Sequence, residues 1–244
     1  GLQGWLNHIL LLVPVFFAVS QTVVSVVNWV STIIVRPKTL PKMDFSKSIA
    51  PGAHTLVVVP TLLGSTRGIE SLIENLEVSY LANKDPRINY ALLTDFKDAL
   101  QETMPEDEEL LSCVAEGIEK LNNKYPGRDS EIFCLFHRNR KWNPREKLWM
   151  AYERKRGKLS ELNMLLRGGG KDKFSLIKGD VQRLQDVKYV ITLDTDTRMP
   201  RDAVKNLVSI ICHPLNQPVY DENKKRVVSG YGILQPRVEA GYPG

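Results

Sequence analysis

Two aspartates separated by one residue, Asp194 and Asp196, directly follow the apolar run "YVITL". The run predicts a buried strand, and side chains at i and i+2 of a strand point the same way. Burying two carboxylates is costly unless they are paired or bind a cation. Their oxygens suit Mg²⁺ or Mn²⁺, which often bridges to substrate phosphates. The pair predicts a divalent metal site. The alternative is an ordinary turn from strand to loop that is capped by aspartate, which would have the same sequence.

Other polar residues lie at the predicted ends of two further strands. The run "HTLVVVPT" ends at Thr61, and the run "INYALLTDF" carries Asp95 next to its last residue. Strand-like runs alternate with helical patterns, which indicates an α/β fold with a largely parallel sheet. Ligands of such sheets bind beyond the carboxyl ends of the strands. We therefore expect Thr61, Asp95 and the aspartate pair to converge at one edge.

Local signals set the expected bounds of the other elements. Thr103 and Glu106, with Pro105 at the first helical position, form a capping-box pattern ahead of one helix. Apolar spacing and breaks predict further helices at 67–81, from Lys158 and from Pro200. The remaining strands are predicted in "SEIFCLFHR", "VKYVITLDTDT" and "RVVSGYGILQPRV".

A basic segment lies between the third strand and the helix that follows it. Nine Lys or Arg residues fall within 138–158, interleaved with Trp142, Trp149 and Tyr152. This composition suits nucleic acid, a pyrophosphate, or a solvated helix face. In "KRGKLSELN", Gly157 allows close backbone approach and Lys158 opens a helix, a combination that favours phosphate.

The histidines and cysteines predict no further site. The four histidines have no metal-ligand spacing, and His137 is predicted to be a solvated strand end. No nucleophilic triad and no glycine-rich phosphate loop is present. The cysteines are far apart and form no C-x-x-C pair, which predicts reduced thiols at Cys113, Cys134 and Cys212.

The first 35 residues contain no Asp, Glu, Lys or Arg, and Ile9–Val35 is long enough to span a bilayer. Pro14 is expected to kink this helix or to separate an earlier half. One helical stripe is polar, which predicts contact with other transmembrane helices and comprises Gln21, Ser25, Asn28 and Thr32. The alternative is a buried helix of a soluble domain. Three basic residues follow and predict that the rest is cytoplasmic: Arg36, Lys38 and Lys42.

Four short motifs in this order resemble those of a known family: "VVVPT", "LLTD", "RGKLSELN" and "ITLDTDT". They are similar to the processive, inverting glycosyltransferases of the GT-A fold, the cellulose synthase type. The longer motifs "YERKRGKLSELN", "YVITLDTDT" and "SGYGILQPRV" resemble more narrowly the glycosyltransferase region of cyclic β-1,2-glucan synthases. This resemblance implies a metal-dependent enzyme of the bacterial inner membrane. It would transfer glucose from UDP-glucose to a growing β-1,2-glucan with inversion.

The resemblance also implies roles for particular residues. Thr61 and Asp95 match positions that hold the uridine. Arg156 and Lys158 match the basic group near the nucleotide. The last match is to the motif that binds Mg²⁺ or Mn²⁺ and the UDP diphosphate, here Asp194 and Asp196.

The resemblance implies a division into a transmembrane segment (1–36), a linker (37–54) and the donor-binding part of a GT-A domain (55–244). The family's loop "PTYNE" is here "PTLLG", which departs from the pattern just after Thr61. Neither the acidic general base nor the acceptor motif Q-x-x-R-W is found, and both are expected beyond residue 244. We therefore expect a fragment of a longer multi-pass protein. Its expected partners are the donor, the glucan acceptor, other transmembrane helices and C-terminal domains, and not nucleic acid.

Two other functions fit part of the sequence. "YVITLDTDT" also suits phosphohydrolases in which Asp194 would be the nucleophile and Asp196 the acid and base. Such enzymes need a downstream lysine, for which the chain offers Lys205, Lys224 and Lys225. A membrane-anchored module that binds nucleic acid or anionic lipid would account for the basic segment, but it leaves the aspartate pair without a role.

Overall fold

The computed structural model describes residues 2–35, 39–127 and 131–236. The chain divides into two compact units, Gly1–Leu40 and Pro41–Gly244.

The first unit is a single helix, α1 (Leu2–Ile34), which continues through Pro14 without dividing. Its stretch Leu10–Ile34 has 25 residues and a mean hydropathy of 2.3. It is long and apolar enough to cross a membrane. The predicted apolar helix is therefore present, as one element.

One member of the predicted polar stripe already has partners within this helix. The hydroxyl of Thr32 donates to the carbonyl oxygens of Asn28 and Trp29, both at 2.8 Å. Of the basic residues that follow the helix, Arg36 and Lys38 lie outside the described residues, and Lys42 is the second residue of the second unit.

The second unit is built on a five-stranded sheet whose spatial order is β6-β3-β2-β1-β7. β1, β2, β3 and β7 are parallel, whereas β6 runs antiparallel to β3. The predicted mostly parallel sheet is thus confirmed. These strands are β1 (Thr55–Leu63), β2 (Ile88–Phe96), β3 (Phe133–Arg138), β6 (Leu176–Lys178) and β7 (Tyr189–Thr192). Two separate hairpins are β4 (Lys141–Asn143) with β5 (Leu148–Met150), and β8 (Val219–Asp221) with β9 (Arg226–Ser229).

Helices cover both faces of the sheet, so its central strands read as continuous apolar runs. The helices are α2 (Thr66–Ala82), α3 (Asp107–Lys124), α4 (Arg154–Leu166), α5 (Val181–Leu184) and α6 (Ala203–Ile211). One apolar core lies between the sheet and α2, α3 and α6, and a second lies between the sheet, α4 and α5. Successive side chains of β1 and β2 therefore point into different cores.

Residues 41–54 of the predicted linker (37–54) belong to the second unit and pack against its first core. Phe45, Ile49 and Ala53 are buried in the first core. The backbone N–H of Ile49 donates to the carboxylate of Asp85 at 2.9 Å.

The predicted capping box at α3 is wrong. The helix begins at Asp107, and Glu106, in the cap position, makes no side-chain capping bond. The carboxylate of Asp107 instead accepts the N–H of Met104 at 2.8 Å and two N–H groups of Arg140. Because Arg140 is a buried cation, its pairing with Asp107 takes precedence over the local pattern.

Three other expectations need correction. The helix predicted to open at Lys158 begins one turn earlier, at Arg154. The helix predicted from Pro200 begins at Ala203. The last predicted strand is short, ends at Ser229 and pairs with β8 rather than with the central sheet, and its final residues 237–238 lie outside the described residues.

Candidate active site

The buried carboxylate of Asp95 lies near the carboxyl end of β2 and faces the α4 side of the sheet. Arg138, opposite it in the parallel register, donates from Nε at 2.8 Å and from Nη2 at 3.1 Å. Lys158 Nζ lies 2.8 Å from the second carboxylate oxygen. Asp95 is 1% exposed and both cations are 3% exposed, so this is a buried ion cluster.

Lys158 connects this cluster to β1, because its ammonium also donates to the carbonyl oxygen of Thr61 at 2.6 Å. Burial lowers the pKa of Lys158 below its usual value, and the charge of Asp95 opposes that shift. Burial also disfavours the charged form of Arg138. The bonds and charges of Asp95 and Glu161 outweigh this effect and raise the pKa of Arg138.

Glu161 on α4 completes the cluster. Its carboxylate accepts from Arg138 Nη1 at 2.7 Å and from Lys141 Nζ at 3.2 Å. Asp95 and Glu161 balance the charges of Arg138 and Lys158, which is how a protein keeps ionised groups out of water.

Gly157 allows α4 to start where it does. A Cβ atom at this position would lie 2.5 Å from the carbonyl oxygen of Tyr152. The group that approaches Gly157 is thus the chain's own carbonyl, and the close approach of a phosphate to this glycine stays a prediction. That same oxygen accepts from Arg138 Nη2 at 3.3 Å.

The aspartate pair lies in a turn, because β7 ends at Thr192. The N–H of Thr197 closes this turn by donating to the carbonyl oxygen of Asp194 at 3.0 Å. The carboxylate of Asp194 is exposed and forms an ion pair with Lys155 in the first turn of α4. Asp196 lines a neighbouring cleft. The two carboxylates therefore have different neighbours. The prediction that they point the same way assumed that both lie on a strand, but β7 ends before Asp194.

This cleft has a volume of 390 Å³ and lies at the carboxyl ends of β1 and β2. Its lining comes from the end of β1, the start of α2, the residue after β2 and the Asp194 turn. It comprises Thr61, Leu62, Gly64, Ser65, Gly68, Ser71, Leu72, Asn75, Lys97, Thr195 and Asp196. The polar strand ends thus share one edge of the sheet, as predicted. Thr61 faces the cleft on the α2 side, whereas Asp95 faces α4.

The surroundings of Arg156 and His137 differ from those that the sequence predicts. Arg156 is 82% exposed and pairs with Glu153, the residue just before α4, rather than with the buried cluster. His137 was predicted to be solvated but is fully buried, which is a correction. Its Nδ1 lies 2.8 Å from the hydroxyl of Thr94, and its ring packs on Phe96 with centroids 4.2 Å apart. Burial lowers the pKa of His137 to about 4.

Sequence reasoning missed four residues that the structure brings to this edge: Arg138, Glu161, Lys155 and Lys97. A signal existed for Arg138, since both it and Asp95 lie at the ends of strands that were predicted to be parallel. Lys97 lines the cleft, and its ammonium lies 3.5 Å from the carbonyl oxygen of Gly64.

A smaller cavity of 250 Å³ lies at the opposite edge, where β2 and β3 begin. Its lining includes Tyr80 and Lys84, whose ammonium lies 5.4 Å from the tyrosine ring centre. Of the predicted site residues, Thr61 and Asp196 line the cleft at the carboxyl ends. Within residues 2–35, 39–127 and 131–236, no three His, Cys, Asp or Glu side chains cluster to hold a metal ion.

The second unit is an α/β protein whose cleft, buried ion cluster and acidic turn lie where a parallel sheet binds its ligands. No protein-family model matches the chain. Over 219 residues the chain is 42% identical to the cyclic β-(1,2)-glucan synthase NdvB of Rhizobium meliloti (strain 1021). The match covers 90% of this chain and 8% of that synthase. The predicted resemblance is confirmed: the chain is homologous to a part of a cyclic β-(1,2)-glucan synthase.

Proposed function

We propose that this chain is the donor-binding part of a GT-A glycosyltransferase domain. It would serve to transfer glucose from UDP-glucose to a growing β-1,2-glucan with inversion. The observation that carries the proposal is the 42% identity to a cyclic β-(1,2)-glucan synthase over 90% of the chain. The cleft and the acidic turn at the carboxyl edge of the sheet support it.

In this proposal Asp194 and Asp196 hold Mg²⁺ or Mn²⁺ together with the diphosphate of the donor. The two aspartate carboxylates suit these ions as ligands, since Mg²⁺ is usually bound by one or two carboxylates plus substrate phosphates. When bound, the ion would offset the negative charge that develops on the departing UDP. Asp194 would exchange its contact with Lys155 for this ion.

The other predicted residues bind and orient the donor. Thr61 holds the uridine of the donor from the cleft. Asp95 helps to hold the same uridine from the buried cluster. Arg156 and Lys158, both on α4, supply positive charge near the nucleotide. The acceptor 2-hydroxyl oxygen attacks the anomeric carbon, the bond to UDP breaks, and the proton passes to a general base that none of these residues provides.

The proposed setting is the bacterial inner membrane. The apolar helix α1 would span it beside other transmembrane helices of a longer protein, whose C-terminal domains would be further partners. The basic residues after α1 favour a cytoplasmic second unit, because Lys and Arg accumulate on that side.

Calorimetric titration of the full chain with UDP, in the presence and absence of Mn²⁺, tests the proposal. We expect metal-dependent binding that is lost in Asp194→Ala and in Asp196→Ala. Asp186→Ala is the matched control, since Asp186 is an exposed carboxylate just before β7, at the other edge of the sheet. This control should bind as the unchanged chain does.

Metal-independent binding, or binding that survives both substitutions, would overturn the metal assignment. Absence of UDP binding by a folded sample would overturn the donor assignment. A phosphomonoester assay then tests the phosphohydrolase alternative. Two of its candidate lysines have other partners, since Lys205 pairs with Asp202 at 3.5 Å and Lys224 with Asp221 at 3.7 Å.

A further inference from the structure

The cleft at the carboxyl ends of β1 and β2 contains a lysine to which the sequence assigned no role. Among the described residues, two charged side chains line this cleft, those of Lys97 and Asp196. Lys97 directly follows β2, and its side chain is exposed. The cleft volume of 390 Å³ falls within the range of small-molecule sites, about 300–1,000 Å³. Lys97 is therefore placed to contact a small ligand in the cleft.

The backbone of Lys97 is held in place, whereas its ammonium is available. Its carbonyl oxygen accepts from Nε of Arg140, a buried cation that pairs with Asp107 and packs on the ring of Phe96. In the part of the chain that the structure describes, no carboxylate pairs with the Lys97 ammonium, which lies 3.5 Å from the carbonyl oxygen of Gly64. This distance is longer than that of an ordinary N–H···O bond. A ligand can therefore bind the ammonium without breaking an ion pair.

Gly64, which directly follows β1, provides the space that the lysine side chain occupies. A Cβ atom at this position would lie 2.7 Å from Cε and 2.9 Å from Nζ of Lys97. The present position of the ammonium therefore depends on the absence of a side chain at residue 64.

The basic residues at the start of α4 are less available to an anion. Each of the first four pairs with a carboxylate, and none of them lines the cleft. The pairs are Arg154 with Asp98, Lys155 with Asp194, Arg156 with Glu153 and Lys158 with Asp95. An anion would have to displace a carboxylate from each of these cations, a cost that binding to Lys97 does not carry.

The two charges of the cleft favour a ligand that brings phosphate and a divalent cation together. An ammonium forms strong, charge-assisted hydrogen bonds to phosphate oxygens. The carboxylate of Asp196 would repel a bare anion, but a divalent cation on the phosphates removes this repulsion, because Mg²⁺ binds carboxylates and substrate phosphates together. A neutral ligand would leave Lys97 without an anionic partner.

We infer that Lys97 is a further donor-binding residue, whose ammonium binds the diphosphate from the end of β2. The inference rests on the proposed function, because the donor of that reaction supplies the diphosphate. When the bond between glucose and UDP breaks, the same ammonium offsets negative charge on the departing UDP.

Calorimetric titration of the full chain with UDP and with uridine, both in the presence of Mg²⁺, tests this inference. Lys97→Met should weaken UDP binding about tenfold or more, as expected for the loss of one charge-assisted hydrogen bond, and leave uridine binding unchanged. Lys97→Arg keeps the charge and should retain most of the affinity for UDP. The matched control is Lys188→Met. Lys188 is also exposed and pairs with no described carboxylate, but it lies just before β7, at the other edge of the sheet.

Gly64→Ala tests the position of the ammonium rather than its charge. The added methyl group would overlap the end of the Lys97 side chain, so the ammonium must move. We expect weaker UDP binding, and adding Lys97→Met to this variant should cause little further loss, since both changes remove the same contact. Losses that simply add would contradict the role of Gly64 in positioning the lysine.

The outcomes separate this inference from the proposed function. UDP binding that is equal in the unchanged chain and in Lys97→Met would overturn the inference and leave the donor assignment intact. Equal weakening of UDP and uridine binding would overturn the phosphate contact. If the chain binds no UDP, inorganic pyrophosphate with Mg²⁺ is the probe. Pyrophosphate binding that depends on Lys97 would then support the phosphate contact and contradict only the donor assignment, whereas its absence would overturn both.

Discussion

At the scale of single residues, the buried carboxylate of Asp95 determines much of the energetics of the site. It is stable out of water only because Arg138 and Lys158 both contact it. Removing one member of a buried ion group is far more costly than replacing the whole group by apolar residues. The cluster therefore behaves as a unit.

Replacing Arg138 by Met should lower the free energy of unfolding by about 3–5 kcal/mol, because Asp95 and Glu161 would share too few cations. Urea denaturation measures this change. The matched control is Arg156→Met, since Arg156 is exposed and pairs only at the surface. A surface pair of this kind is expected to contribute less than about 1 kcal/mol. Equal losses in the two variants would show that the cluster does not act as a buried unit.

His137 should make stability depend on pH below neutrality. Its pKa in the folded protein is about 4, below the ordinary value of 6.5, because it is buried. Between these values the unfolded chain binds a proton that the folded chain does not, so stability falls as pH falls from 6.5 to 4. The full effect, reached below pH 4, is roughly 3 kcal/mol.

Urea denaturation between pH 7 and pH 4 measures this loss, and His137→Gln should flatten that part of the profile. The pKa of Asp107 is lowered by its bonds to Arg140 despite burial, so its contribution is lost only below its ordinary value of 3.8. An unchanged profile in the His137 variant would contradict the assignment of a neutral, buried imidazole.

The sequence identified Asp95 but not what surrounds it. A strand-end carboxylate was evident from "LLTDF", and parallel strands predicted that other strand ends would be near. Arg138 lies 43 residues away and was hidden among nine basic residues. Only the register, which pairs Asp95 with Arg138, distinguishes it from the other basic residues of this segment.

At the scale of elements, α4 places the functional groups and starts in an unusual way. Glu153 and Arg154 have φ values of 54° and 45°, which are unfavourable for residues with a Cβ atom. Helix α4 then carries Lys155 to Asp194, Lys158 to Asp95 and Glu161 to Arg138. The position of one helix therefore links the acidic turn to the buried cluster.

Gly157→Ala tests the close backbone approach at the start of α4. Alanine normally stabilises a helix by about 1 kcal/mol relative to glycine. Here its Cβ would lie 2.5 Å from the carbonyl oxygen of Tyr152, so we expect destabilisation of about 1–3 kcal/mol. Thermal or urea denaturation gives the sign directly. The control is Gly232→Ala, where a Cβ would meet nothing within 4 Å. Stabilisation in the Gly157 variant would contradict the close approach.

Elements with a strong apolar pattern were predicted well, whereas short ones were missed. β2 matches its predicted bounds, Ile88–Phe96, and α2 extends the predicted helix by one residue at each end. β4, β5 and β6 have three residues each, too few to show a period. The start of α3 was wrong because Arg140, 33 residues away, binds Asp107. Long-range contacts of this kind leave no local pattern.

At the scale of the whole molecule, composition alone separated an apolar N-terminal helix from an α/β unit. The division after Leu40 follows the end of the charge-free stretch closely. The sequence could not show that segment 41–54 would belong to the second unit and pack against its first core. Its buried residues Phe45, Ile49 and Ala53 recur at i, i+4 and i+8, the spacing of a helix face, yet the segment forms no helix. The local pattern therefore does not reveal how this segment packs.

The last prediction concerns α1 in a bilayer. Expressed in bacteria, the full chain should stay in the membrane fraction after alkaline carbonate extraction. Val23→Arg with Val24→Arg should release much of it, because each arginine at the centre of a spanning helix costs about 2.5–3.5 kcal/mol on insertion. The same change at Val227 and Val228, which are exposed on β9, is the control and should leave the chain with the membrane. An unchanged chain in the soluble fraction would contradict a spanning role for α1. Release by both pairs of substitutions would point to a general effect of added charge rather than to insertion.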